Sequence, residues 1–183
     1  MNVPASATAA AKTRRPLAIS VATGVPDALD RLAAALDPDQ AFLRAAWFRA
    51  AGADSTLLVD SGDGAPLAAF PTTAAGPTAI GARAVVGAYW PFRTVPISPR
   101  LGDADLQALL TDPRTRTALG PLWRIGPFYE DDPAGARLIE AAPEAGWTVL
   151  TRSLGETYLI EVEELRAQGP WPRPSTLKRI RNY

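Results

Sequence analysis

Proline and glycine punctuate this chain from end to end: eighteen prolines and fourteen glycines are spread over its 183 residues. A proline has a fixed φ and no N–H to donate, so it belongs in first turns, edges and loops rather than in helix interiors or central strands. Long uninterrupted bundle helices are therefore disfavoured, and many short elements joined by turns are expected. Hydrophobic residues make up 47% of the chain, with five Trp, five Phe and four Tyr among them. That is enough apolar surface for one sizeable packed core, and one domain is the simpler reading.

The periodicity fills in the elements. Residues 17–21 read as a short strand, and Pro26-Asp27 opens a helix with Leu29, Leu32, Ala33 and Leu36 at helical spacing until Asp37-Pro38-Asp39 ends it. A second helix should carry Phe42, Leu43, Ala46, Trp47 and Ala50 on one face, with Gly52 beyond its end. The apolar runs 56–60 and 66–70 flank Ser61-Gly62-Asp63-Gly64, a hairpin signal. Runs 79–86 and 94–97 lie among Pro77, Pro91, Pro96 and Pro99 and suit edges and loops.

A helix is expected over 103–110, with Leu106, Leu109 and Leu110 on one side, and a buried strand over 122–125. Asp131 or Asp132 should cap a further helix that has Pro133 in its first turn and Leu138 and Ile139 facing inward. Residues 147–150 and 157–162 read as strands, and Pro170-Trp171-Pro172-Arg173-Pro174 as a stiff connector. This order has no internal repeat and no glycine-rich phosphate loop after a strand. The expected fold class is α/β (α+β), with a mixed, mainly antiparallel sheet flanked by helices; a dinucleotide-binding fold lacks its glycine fingerprint.

Composition also narrows the chemistry. The chain contains no Cys and no His, which removes disulfides, thiolate nucleophiles, Ser-His pairs and the usual structural zinc sites. Any catalysis must rest on carboxylates, Lys, Tyr, Ser, Thr or backbone amides. Nineteen cations balance nineteen anions, so no overall field draws the chain to nucleic acid or an anionic membrane. No apolar run approaches the roughly 20 residues of a spanning helix. Residues 1–15, rich in Ala, Ser and Thr, are expected to be a disordered tail; the stretch after Arg14-Arg15 is interrupted at Thr23, Gly24 and Pro26 and forms no export signal.

Two stretches carry a family resemblance. In residues 40–73, a helix with the aromatic pair Trp47-Phe48 leads into a hairpin that ends at Phe70-Pro71. This resembles the opening of Fem-like and CelD/BcsL-like proteins of the GNAT acyltransferase superfamily. Near the other end, residues 157–162, a short acidic segment and Ser175, Lys178, Arg179 and Arg181 resemble the strand and basic helix of the same proteins.

The resemblance implies a front, N-terminal GNAT-like lobe over 16–169, followed at 170–183 by a connector and the start of a basic helix into a second lobe. It further implies transfer of an acyl group from acetyl-CoA or another acyl-CoA to an amine, with the acyl-CoA site in that second lobe. The 183 residues alone would then be inactive. A small-molecule or cell-envelope precursor is the implied acceptor. The cytoplasm is the expected setting, no metal is expected, and nucleic acid ranks last as a partner given the zero net charge. A non-catalytic interaction or acceptor-binding domain is the alternative. Neither catalytic nor cofactor-binding residues can be assigned.

Candidate substrate-binding residues fall into two groups. Lys178, Arg179 and Arg181 surround a helix whose other face carries Leu177 and Ile180; they suit phosphate or carboxylate recognition, or else form a solvated helix flank. Tyr89, Trp90 and Arg93, with Phe92, lie between prolines, where aromatic faces and a guanidinium suit an acceptor or simply pin a loop to the core. The run Glu130-Asp131-Asp132 suits helix capping better than a cation, and Glu161, Glu163 and Glu164 name no general base by spacing. Trp47 and Trp147 are expected in the core, and Trp171 as an anchor of the connector.

Overall fold

The structure is a computed structural model that describes residues 16–36, 38–40, 42–87, 94–155 and 167. The expected tail 1–15, strand 157–162, acidic residues 161–164, connector and basic helix lie outside them. The chain falls into two compact units, Met1–Leu150 and Thr151–Tyr183. Among the described residues, the strands and helices from Ala18 to Glu144 all belong to the first. In the second, residues 151–155 are exposed and in no regular element.

Among the described residues, five strands form one sheet in the order β1-β2-β3-β4-β5: β1 Ala18–Thr23, β2 Ser55–Asp60, β3 Pro66–Ala74, β4 Arg83–Val85 and β5 Trp123–Arg124. The first three pairings are antiparallel and the last is parallel, so the sheet is mixed and mainly antiparallel, as the patterning implied. The hairpin forms where expected. Ser61 donates its N–H to the Ala65 carbonyl, and Gly64, at φ 82°, closes a tight turn within it.

Residues 67–72 of β3 are all buried. A strand covered on both faces reads as a continuous apolar run rather than an alternation. Pairing Leu57 with Phe70, Leu58 with Ala69 and Val59 with Ala68 sends successive rows to opposite faces. Phe70, Leu57 and Val59 join the larger core, with Leu106, Leu109, Leu110, Leu119 and Leu138 of helices α3 Asp103–Thr111, α4 Pro113–Leu119 and α5 Pro133–Glu144. Ala69 and Leu58 meet Leu29, Leu32, Leu43 and Phe48, contributed by α1 Ala28–Ala33, α2 Ala45–Ala50 and the segment between them. The sheet is thus a middle layer with helices on each face.

Helices α1 and α2 are tied together by polar groups. Asp30 of α1 accepts the Ala45 N–H at 2.7 Å, capping the neighbouring helix, whose own N-cap residue Arg44 makes no side-chain cap. From α2, Arg49 reaches back to the Val25 carbonyl at 2.8 and 3.0 Å and to Asp27.

Several expectations are corrected. In α2 the buried side chains are Ala45 and Phe48, preceded by Leu43, whereas Phe42, Ala46 and Ala50 are exposed. The helix starts later than the pattern suggests, which rotates its inner face. The expected buried strand over 122–125 is a two-residue edge strand with Leu122 exposed. In α5 Leu138 faces inward but Ile139 faces out, because Ala134, Leu138, Ala141 and Ala145 already make the buried stripe. No strand forms at 147–150 among the described residues, and Leu150 is 89% exposed. Residues 79 and 80 of the run 79–86 belong to the 3₁₀ helix Thr78–Ile80 rather than to a strand.

Helix α4 was not expected. Pro113 disfavours helical geometry at the residue before it, so Asp112 is extended (ψ 130°), α3 stops at Thr111 and a new helix starts at the proline.

Candidate functional site

The candidate residues Tyr89, Trp90 and Arg93, like Lys178, Arg179 and Arg181, lie outside the described residues. What the structure does describe is the frame on each side of 88–93. On the entering side, the Trp47 indole N–H donates to the Gly87 carbonyl at 3.1 Å. Gly87 is buried at φ 75°, and a Cβ there would lie 2.6 Å from Trp47 Nε1 and 3.1 Å from Phe48 Cδ1. Only glycine lets the backbone approach α2 this closely. The aromatic pair of α2 therefore does two jobs: Phe48 fills the core, and half-buried Trp47 clasps the chain just ahead of residue 88.

On the leaving side, residues 94–98 are buried. The Pro96 carbonyl accepts from Ala69 N–H at 3.0 Å, the Leu67 carbonyl accepts from Ser98 N–H at 2.7 Å, and Ile97 bridges Ala68. This segment thus lines up beside the first half of β3, while β4 pairs with the last residues of that strand. The run is an edge partner, as its prolines require.

Thr94 is tied to α5. The Asp132 side chain caps that helix by accepting the Gly135 N–H at 2.5 Å and takes a second hydrogen bond from the Thr94 side chain. Asp132 is 8% exposed. Burial pushes its carboxyl above the usual carboxylate range, with neighbouring Asp131 adding to the rise; the bonds from Thr94 and Gly135 oppose it without cancelling it. Of the two aspartates open to the capping role, Asp132 takes it. Among the described residues no acidic group is arranged to hold a metal ion.

Two further polar centres are committed to the fold. Immediately before β2, Asp54 accepts from the Ala74 N–H and the Thr73 hydroxyl, both at 3.2 Å, and pairs with Arg83, which also donates to the Thr72 hydroxyl at 2.9 Å. Burial pushes the Asp54 carboxyl up, but Arg83, Ala74 and Thr73 together hold it below its ordinary value. A carboxylate so saturated stays ionised and is poorly placed to take a proton. Nothing in the local sequence announces it, since its cation comes from another strand.

At the start of α4, Asp112 receives the Arg114 N–H at 2.8 Å and both ends of its guanidinium at 2.9 and 3.0 Å. The Arg114 bond comes first among the causes that hold this carboxyl below the usual range. The pair borders an open groove of about 220 Å³ with Leu17, Ile19, Asp105 and Ala108.

Two further arginines, Arg116 and Arg137, behave in the same way. Arg116 lies 4.8 Å from the Trp147 ring centre and donates to the Ala145 carbonyl, and Arg137 donates to the Leu101 carbonyl and to Asp103. Trp147 in turn donates to the Leu110 carbonyl at 2.9 Å and packs near Trp123, which meets Phe70 edge-on. Trp147, partly buried against the larger core, is structural. Each of these arginines pins a loop or a helix end. No family, curated protein or solved structure matches the chain.

Proposed function

We propose that this chain is the front lobe of an acyl-CoA-dependent N-acyltransferase, acting on a small-molecule or cell-envelope precursor amine in the cytoplasm. The supporting observation lies in the first of the two stretches that carry the GNAT-like resemblance: α2 packs on the sheet through Phe48, and β2 and β3 follow as a hairpin. In the proposed reaction the neutral amine nitrogen attacks the thioester carbonyl carbon. The N–C bond forms, the C–S bond breaks, the nitrogen loses a proton and CoA leaves as its thiol. This route needs hydrogen-bond donors for the developing oxyanion and a deprotonated amine, but no covalent nucleophile, so it is compatible with a chain that lacks Cys and His.

On this reading the front lobe presents the acceptor and acetyl-CoA or another acyl-CoA binds the second lobe. Tyr89, Trp90 and Arg93 are the proposed acceptor contacts, and Lys178, Arg179 and Arg181 the cations facing its anionic groups or those of CoA. The framing of 88–93 by Trp47 on one side and Asp132 on the other supports this assignment, because a binding segment gains from ends that are already ordered. The same framing favours a second reading, a non-catalytic acceptor-binding or interaction domain.

An acyl-transfer assay separates the two. The product of the whole reading frame is incubated with acetyl-CoA and a panel of amines, and free thiol is followed. Thiol release that requires both substrates is expected. Failure to bind CoA or to cleave the thioester overturns the enzyme reading, and saturable amine binding without thiol release establishes the binding domain. In calorimetry the 183-residue chain is expected to give no saturable heat with acetyl-CoA.

A further inference from the structure

We draw no further inference here: the strongest candidate, the open groove between strand β1 and the α3–α4 corner, lined by Leu17, Ile19, Asp105, Ala108, Asp112 and Arg114, has its Asp112 charge already answered by Arg114, and nothing in the structure shows what covers it.

Discussion

Single residues on either side of 88–93 decide whether that frame holds. Asp132 joins Thr94 to the first turn of α5 from a buried position, so removing its side chain takes away a cap and leaves the Gly135 N–H unanswered. Asp132→Ala should cost about 1 to 2 kcal/mol in urea unfolding. Asp132→Asn behaves differently, because Asn caps as well as Asp and carries no charge to bury. The folded carboxyl holds its proton more tightly than the unfolded one. Its contribution is therefore complete below the unfolded value and is lost as pH rises through the folded value. The Asn variant should match or exceed the parent at neutral pH, with the advantage shrinking toward acid; an Asn variant as weak as the Ala variant would show that the charge itself is needed. At Gly87, substitution by Ala meets both a positive φ and the Trp47 ring, and a loss of about 1 to 3 kcal/mol is expected. A stability unchanged within error would mean that the Trp47 to Gly87 clasp is not tight.

Among the elements, α4 shows how a helix can be dictated by two residues. Asp112 supplies the cap and Pro113 the first turn, and the same pair breaks α3 one residue earlier. Asp112→Ala should cost about 1 kcal/mol and reduce far-UV helicity. The Asp112 carboxyl is held low, so its contribution is present above the unfolded value of 3.8 and disappears as pH falls through the folded one. Asp112→Asn should keep the cap and flatten that acid-side dependence, and an unaltered acid-side slope would exclude the Arg114 pairing as its source. The Asp-Pro signal of α4 stands in the sequence as openly as the Asp-Pro before α5, yet in its seven residues only Ala118 and Leu119 are apolar beyond the proline, too few to mark a helical stripe. The hairpin was legible because its turn chemistry is local. Helix α2 was legible in kind but not in its inner face, since six residues hold too few turns to fix a stripe. Strand β5 was legible in place but not in burial or length, since it has two residues and a parallel partner 40 positions away. The site divides in the same way: an aspartate cap follows from Asp-Pro and was expected at Asp131 or Asp132, whereas the clasp between Trp47 and Gly87 spans 40 residues and has no local signal.

At the scale of the unit Met1–Leu150, the described residues form two apolar cores separated by one sheet, and the question is whether they melt together. Phe70 belongs to one and Phe48 to the other, and neither has any exposed surface. Truncating either to Ala should cost about 3 to 5 kcal/mol, a large part of the roughly 5 to 15 kcal/mol that holds a domain together. Adjacent residues of the same strands serve opposite cores: Leu58 faces one and its neighbours Leu57 and Val59 the other, and Ala69 alternates with Ala68 and Phe70 in the same way. A strand cannot leave one core and remain in the other, so loss of either should release the whole sheet. Phe48→Ala and Phe70→Ala are therefore expected to lower a single shared transition. Hydrogen exchange provides the measurement, with the slowest amides of α1, β2, β3 and α5 moving to one common opening energy in both variants. If Phe48→Ala instead freed the α1 and α2 amides while those of α3 and α5 stayed protected at the parent level, the sheet would be a partition between two independent cores rather than the element that couples them.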